Sequence, residues 1–276
     1  MPGLPSRWCL RSRSEPAARS QGPEVPVESD AARSTGEAPC GCSPWLNAHQ
    51  EAIPPPTSVF SPWRSCRGHC VRGRVDVREL PGLTITKIAT NPFNNNCYFL
   101  RDASGDTLLI DAAGDPERLL EVLGDDRLIG IGKTHGHWDH WQGLEAVVRE
   151  TGAPVLATKA DAPELPVPVD RFLTDDDVVT VGAHSLQALT LVGHTPGSVA
   201  LYYSPEGGHL FTGDSLFPGG VGNTEKDEKR FASLMNDVEQ KLFALPDSTW
   251  FYPGHGSDST IGTERPSIPE WRAHGW

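Results

Sequence analysis

Three histidines and an aspartate occur within six consecutive residues, in the run His-Gly-His-Trp-Asp-His at 135–140. Imidazole nitrogens and carboxylate oxygens are the groups that Zn, Fe and Mn accept as ligands, and few structural roles need so many of them together. The run 128–131 before the cluster is apolar, as in a buried strand, and apolar residues after it recur at helical spacing until Gly152. This stretch therefore predicts a strand, a metal-binding loop and a helix in succession.

Three later segments each place one further candidate ligand among small residues. The ligands are His194 in 193–197, Asp214 in 212–215 and His255 in 253–256. Each segment directly follows a strand-like run, so its ligand lies on a loop at a sheet end, where glycines let the backbone approach closely. Five of the chain's ten histidines fall in the four motifs. We expect the other five, which have no partner at ligand spacing, to be surface or hydrogen-bonded polar residues.

In this order the four motifs resemble those of the metallo-β-lactamase-fold hydrolases, in particular short glyoxalase II-like enzymes. The resemblance extends from Leu83 to Arg265, about two thirds of the chain. It implies an α/β fold, namely a four-layer αββα sandwich of two mixed β-sheets flanked by helices.

The resemblance also implies seven ligands for two divalent metal ions, with Zn the first candidate and Fe or Mn as alternatives. The ligands of the first ion are His135, His137 and His194, those of the second are Asp139, His140 and His255, and the bridging ligand is Asp214. Two cations about 3.5–4 Å apart need a shared carboxylate and a shared water to offset their repulsion. That water is largely hydroxide at neutral pH, and we expect it to attack a carbonyl carbon while Asp139 orients it.

Several residues near these motifs have two interpretations each. Asp111 ends an apolar strand and either orients a ligand imidazole or simply begins a loop. Trp138 and Trp141 either form the wall of an apolar acyl pocket or pack against the sheet. Lys226 and Arg230 either anchor a substrate carboxylate or form the exposed first turn of a helix. A serine nucleophile is rejected, because the chain lacks the Gly-x-Ser-x-Gly elbow at these motifs.

Composition divides the chain near residue 75. Residues 1–75 hold eleven Pro, ten Ser and nine Arg but no Lys, which is typical of a disordered extension. A structural zinc knot, an organelle-targeting segment and a start codon placed too far upstream are the alternatives. Five of the six cysteines lie in this extension, and only Cys97 lies in the predicted hydrolase domain 76–276. A domain without a cysteine pair suits the reducing cytoplasm.

Net charge limits the partners. The extension carries nine arginines against six acidic residues, a formal charge of +3. The whole chain carries −12, so residues 76–276 carry −15. An acidic domain of this size repels phosphate backbones, which argues against nucleic acid as the substrate. We find no apolar run of about 18 residues that would span a membrane, and the first residues lack the apolar core of a secretory signal. We therefore expect a small-molecule substrate.

Periodicity predicts the main elements of the domain. The runs 97–100 and 107–110 flank a turn and predict a hairpin, and Pro116 is placed to begin a helix. A long helix is predicted from about Asp227 to Leu245, with an apolar face toward the core and Pro246 at its end.

Together these features predict a dinuclear metal-dependent hydrolase that uses a metal-bridging hydroxide on small thioesters. The alternatives are a lactonase or other ester hydrolase of the same fold, a mono-iron persulfide dioxygenase and a non-catalytic metal-binding module. Only 21 residues follow His255, whereas glyoxalase II carries a separate C-terminal helical domain there. The acyl group, the thiol carrier, the metal and the oligomeric state are left open by the sequence.

Overall fold

The structure, a computed structural model, describes residues 64–65 and 75–275 and is built around two β-sheets. The strands of the first sheet lie side by side in chain order: β1 (Arg64–Ser65), β2 (Val75–Leu80), β3 (Leu83–Thr90), β4 (Asn95–Asp102), β5 (Asp106–Ile110), β6 (Arg127–Gly132), β7 (Val155–Thr158) and β8 (Arg171–Leu173). Strands β1 to β5 pair antiparallel, whereas β5 to β8 pair parallel. The antiparallel part includes the predicted hairpin, formed by β4 and β5.

The second sheet is also mixed. The remaining strands are β9 (Val178–Val181), β10 (His184–Leu191), β11 (Ser198–Tyr203), β12 (His209–Gly213), β13 (Leu216–Phe217), β14 (Gly220–Val221), β15 (Trp250–Pro253) and β16 (Ser259–Thr260). Six of them form the sheet in the order β16-β15-β12-β11-β10-β9, while β13 and β14 form a separate hairpin. Only the β12–β15 pair of this sheet is parallel.

Helices cover the outer face of each sheet. They are α1 (Pro116–Leu123), α2 (Leu144–Thr151), α3 (Glu228–Asp237), α4 (Ile261–Glu264) and α5 (Ile268–His274). Residues of α1 and α2 share one buried cluster with the first sheet, and residues of α3 share another with the second sheet. A third cluster joins the two sheets. The predicted four-layer αββα sandwich is therefore confirmed.

Alternation along the central strands explains this layering. In β4, Tyr98 and Leu100 belong to the cluster between the sheets, whereas Cys97 and Phe99 belong to the cluster under α1 and α2. Successive side chains of a strand point to opposite faces, so a strand that is apolar at every position must be covered on both sides. The continuous apolar runs of this sequence are thus satisfied only by a sheet between two other layers.

The long helix predicted at 227–245 begins as expected but ends earlier. Asp227 caps α3 through its side chain, which accepts hydrogen bonds from the backbone N–H groups of the first turn. After Asp237 the chain makes one π-helical turn over Val238–Leu242, in which the Phe243 N–H donates to the Val238 carbonyl. The wider turn keeps Val238 and Leu242 buried against the sheet. The helix therefore ends at Leu242, before Pro246 is reached.

Most of the predicted extension lies outside the described residues. The interpretations of its five cysteines, of the zinc knot and of the targeting segment therefore stay predictions. Arg64–Ser65 pairs antiparallel with β2 and so continues the first sheet. Cys97 is buried and unpaired. In the described part of the chain, no helix has both the length and the apolar character needed to cross a membrane.

Candidate metal centre

The four predicted motifs all follow the carboxyl ends of strands. The motif 135–140 comes after β6, His194 after β10, Asp214 after β12 and His255 after β15. Parallel neighbours end at the same edge of a sheet, so the β12–β15 pairing brings two of these loops together. The same relation holds for β5 and β6, which places Asp111 beside the first motif.

Six of the predicted ligands form two groups. Within each group the ligand atoms lie within 4.8 Å of one another, which is close enough to hold one cation. The first group is His135, His137 and His194, and the second is Asp139, His140 and His255. The family resemblance implied the same division of these six residues between two metals.

Asp214 lies between the two groups. Its Oδ2 is 3.8 Å from Nε2 of His194 and 3.4 Å from Nε2 of His255, and its Oδ1 is 3.3 Å from Nε2 of His140. One carboxylate thus faces imidazoles of both groups. The structure brings all seven predicted residues into a single cluster.

Hydrogen bonds at Nδ1 orient two of the imidazoles in the second group. Nδ1 of His140 donates to the Asp111 carboxylate at 3.1 Å, and Nδ1 of His255 donates to the Phe93 carbonyl at 3.1 Å. Their Nε2 atoms consequently point at each other, 3.1 Å apart. Two ring nitrogens at this distance need a proton or a cation between them.

The first group is held in the same way. Nδ1 of His194 donates to the Asn223 carbonyl at 2.8 Å. The Thr134 hydroxyl donates to Asp111 at 2.7 Å, so it is free to accept from Nδ1 of His135 at 3.0 Å. Nε2 of both histidines is buried and has no hydrogen-bond partner among the described residues. Buried, unpartnered imidazole nitrogens aimed at one point fit a metal ion.

Asp111 supports the cluster through a buried ion pair. The Lys133 ammonium donates to Asp111 at 2.5 Å and to the His140 carbonyl at 2.5 Å, and both charged side chains are almost fully buried. Burial acts to raise the pKa of Asp111, but Lys133 and His140 outweigh it, so the pKa lies well below its ordinary value. Of the two interpretations of Asp111, the orienting role is the one that these contacts support. The ligand atoms of Asp111, His135 and His140 also lie within 4.8 Å of one another, but both oxygens of the Asp111 carboxylate already accept hydrogen bonds from N–H or O–H donors.

Charges within the cluster compensate one another. Burial opposes protonation of His140 and His255, but the neighbouring carboxylates prevail and raise their pKa values to about 9 and about 10. Burial likewise acts to raise the pKa of Asp214, yet His140 and the other imidazoles hold it well below its ordinary value. In the metal-free protein, protons on imidazoles therefore balance the acids. Divalent cations would supply the same positive charge.

Gly254 shows how closely the loops approach. A Cβ atom at this position would overlap the Asp214 carboxylate and the His140 ring. Only glycine can therefore follow β15 here without displacing two members of the cluster.

Three residues of the site were not found from the sequence. The Asn95 side chain donates to Asp139 at 3.0 Å and lies 3.3 Å from Nε2 of His255. Lys133 has the role described above, and the Asp161 carboxylate accepts from the Gly136 N–H at 2.9 Å. The run of three asparagines at 94–96 was the one local signal available, since such runs favour turns.

Arg230 lies in the first turn of α3, as one interpretation expected, but it is half-buried rather than exposed. Its Nε donates to the Gly193 carbonyl at 2.8 Å, its Nη2 to the His194 carbonyl at 2.7 Å and its Nη1 to the Glu225 carboxylate at 2.6 Å. The guanidinium thus holds the His194 loop and pairs with Glu225 instead of standing free to anchor a substrate, while the side chain stays 33% exposed. Lys226 is exposed and precedes α3 instead of forming its first turn.

The two tryptophans differ in their surroundings. Trp141 donates its indole N–H to the Gly136 carbonyl at 2.9 Å and packs against the cluster under α1 and α2. Trp138 is 56% exposed and contacts the Phe93 ring edge-on, with centroids 5.7 Å apart. Both line a pocket of about 320 Å³ beside His137 and His194. Packing and pocket formation therefore apply together to Trp141, whereas Trp138 contributes mainly to the pocket.

The remaining described histidines are hydrogen-bonded polar residues, as expected. Nδ1 of His184 lies 2.9 Å from the Tyr203 hydroxyl, and Nδ1 of His209 lies 2.8 Å from the Tyr252 hydroxyl. Nδ1 of His274 lies 3.0 Å from the Glu270 carbonyl. His49 and His69 lie outside the described residues.

The chain resembles known proteins both in sequence and in structure. Residues 90–255 match the family model of the metallo-beta-lactamase superfamily. The hydroxyacylglutathione hydrolase GloC of Haemophilus influenzae is 30% identical over 208 residues, which cover 68% of this chain and 97% of that protein. The solved structure of a B3 metallo-beta-lactamase, BLEG-1, is 28% identical and superposes with a TM-score of 0.63, covering 67% of this chain and 98% of its own. The structure of TTHA1623 in a di-iron-bound form is 30% identical, with a TM-score of 0.58 and coverage of 67% and 98%.

Proposed function

Because the chain belongs to the metallo-beta-lactamase superfamily, we propose that it is a dinuclear metal-dependent hydrolase of small thioesters. The observation that carries the proposal is the pair of three-ligand groups with the Asp214 carboxylate between them. The likeness to a hydroxyacylglutathione hydrolase over nearly the whole length of that relative supports thioester chemistry.

In this proposal His135, His137 and His194 would hold one ion, and Asp214 would contribute to both sites. The second ion is held by Asp139, His140 and His255. When bound, two such cations polarise a carbonyl group and lower the pKa of a water molecule toward neutrality. Zn fits these nitrogen and oxygen ligands, and a relative solved in a di-iron-bound form makes Fe an equal candidate.

Asp139 is the proposed catalytic carboxylate. Burial acts to raise its pKa, but hydrogen bonds from His255 and Asn95 and the charge of His140 hold the pKa well below its ordinary value. It is therefore an acceptor throughout the neutral pH range. Asn95 fixes one oxygen of the carboxylate at 3.0 Å, which leaves the other to orient the attacking water.

The other chemistries of this fold are alternatives to thioester hydrolysis. Measuring the metal content and the reaction products distinguishes them. A lactonase or another esterase would use the same groups on a different acyl bond. A mono-iron persulfide dioxygenase would need only two histidines and one carboxylate, whereas two full groups are present here. A non-catalytic metal-binding module would hold metal without turnover.

The single cysteine of the described domain is buried and unpaired, which favours a reducing, cytoplasmic location.

The test is a substrate panel on the purified full chain, with its metal content measured in parallel. We expect thioester hydrolysis at a rate well above that on lactones and phosphodiesters. Oxygen consumption with a persulfide, together with one Fe per chain, would show that the protein is a persulfide dioxygenase instead. Bound metal without turnover of any substrate would favour the non-catalytic metal-binding module.

A further inference from the structure

Two exposed aromatic rings stand at the edge of the metal centre. Phe93 is 53% exposed and Trp138 is 56% exposed, and they contact each other edge-on. Both are fixed to the ligands through the backbone: the Phe93 carbonyl accepts from His255, and Trp138 lies between His137 and Asp139. Apolar surface held beside a reaction centre is suited to contact an apolar group of a ligand.

The pocket beside this aromatic pair is small; Trp138 belongs to its lining, which is partly apolar and partly polar. Its volume of about 320 Å³ lies at the lower end of the range for ligand pockets. Trp138, Trp141, Pro196 and Ala160 contribute apolar surface, and His137 connects the pocket to the metal centre. The space suits a short apolar chain.

The charges of the pocket oppose an anionic ligand. Among the residues that line it, Arg230 is the only arginine or lysine, and all three of its nitrogens donate to Gly193, His194 and Glu225. Two acidic residues, Asp161 and Glu164, also line the pocket. A carboxylate entering here would meet like charges and no uncommitted cation from the lining.

On the basis of the proposed thioesterase function, we infer that this site selects thioesters with a short apolar acyl chain and a thiol part free of carboxylates. Phe93 and Trp138 provide the apolar contact. Asp161 and Glu164 disfavour carriers such as glutathione, whose two carboxylates would have to approach them.

The test compares one acyl group on three thiols with the full-length, metal-loaded protein. Butanoyl thioesters of N-acetylcysteamine, of glutathione and of glutathione diethyl ester differ in their carboxylates but share the scissile bond. We expect kcat/KM for the two carboxylate-free thioesters to exceed that for the glutathione thioester by about tenfold or more. A preference for the glutathione thioester over its diester would overturn the inference and leave the proposed function standing. Failure to hydrolyse any of the three would reject both.

Variants test the aromatic contact separately. Trp138→Ala and Phe93→Ala should raise KM for butanoyl-N-acetylcysteamine by about tenfold, with the metal content unchanged. Phe172→Ala is the matched control, because Phe172 is 50% exposed but belongs neither to the aromatic pair nor to the pocket lining, and the KM of this variant should equal that of the wild type. Equal KM values in all three variants would contradict a role of the aromatic pair in selection. A loss confined to kcat would also contradict it.

Discussion

Arg230 donates a hydrogen bond of 2.7 Å to the backbone carbonyl of His194 and so ties helix α3 to a proposed ligand of the candidate metal centre. A second bond of 2.8 Å reaches the carbonyl of the preceding Gly193. Together with the Nδ1 bond of His194 to Asn223, these contacts fix both the loop and the ring. A residue 36 positions away in the chain thus holds the loop that carries this imidazole.

Replacing Arg230 should weaken metal binding without unfolding the protein. Arg230→Ala removes both loop contacts, and loss of such supporting bonds typically lowers metal affinity by about 10- to 100-fold. Competition with a chelator measures the affinity, and circular dichroism reports the fold. Lys229→Ala is the control, since Lys229 is exposed on the same turn of α3. Equal metal affinities in the two variants would show that the Arg230 contacts are not needed to position the His194 loop.

Removing the shared carboxylate should affect both ions. Asp214→Ala leaves two cations facing each other without the group between them, so we expect metal content to fall and turnover to drop by orders of magnitude. Elemental analysis and thioester hydrolysis provide the two readouts. Asp125→Ala serves as a control on an exposed acidic residue outside the cluster. Full metal content in Asp214→Ala would remove Asp214 from the ligand set.

Removing one partner of the Asp111–Lys133 pair should cost more stability than breaking a surface pair does. Asp111→Ala leaves a buried ammonium uncompensated, a change that costs about 3–5 kcal/mol. Asp106→Ala breaks the matched pair with Arg127, whose side chain is 74% exposed, and should cost about 1 kcal/mol or less. Urea unfolding in the presence of a chelator measures both without the metal contribution. Similar losses would mean that the buried pair is compensated elsewhere.

Acid should destabilise the fold through His209. This residue is buried beside the Tyr252 hydroxyl, and burial, followed by the nearby Arg78 charge, lowers its pKa to about 4. The unfolded chain binds the proton below about pH 6.5 while the folded chain does not, so stability is complete above 6.5 and falls as the pH drops toward 4. The loss amounts to roughly 3 kcal/mol at about 1.4 kcal/mol per pKa unit.

The variant His209→Gln isolates this effect because the glutamine does not titrate. The difference in unfolding free energy between wild type and variant should shrink or reverse as the pH falls from 6.5 to 4. Titration of the metal ligands occurs in both proteins and cancels in the difference. A difference that does not change with pH would contradict the assignment.

Residues whose role follows from local pattern were predictable, and those whose role follows from distant contacts were not. The His-x-His-x-Asp-His run and the glycine-flanked loops predict metal-binding side chains at strand ends. The fold brings all seven of these predicted ligands together. Asn95 and Arg230 contact ligands 160 and 36 residues away. An asparagine run and a predicted helix start mark their positions in the sequence, but neither pattern indicates these contacts. Only the folded chain places them.

The early end of the long helix has a similar origin. The apolar spacing continues to Leu245, and Pro246 is a sound stop signal by itself. The π-helical turn at Val238–Leu242 is set by packing against the second sheet, and Arg265 donates to the carbonyls of Phe243 and Leu245 beyond it. Because tertiary contacts satisfy these carbonyls, periodicity alone could not locate the end.

The central claim, a two-metal hydrolase, is tested most directly by titrating metal into the metal-free full chain while thioester hydrolysis is followed. The two three-ligand groups and Asp214 predict that activity rises until two equivalents of Zn or Fe are bound and then stays constant. Full activity at one equivalent, or metal uptake with no hydrolysis, would contradict the account.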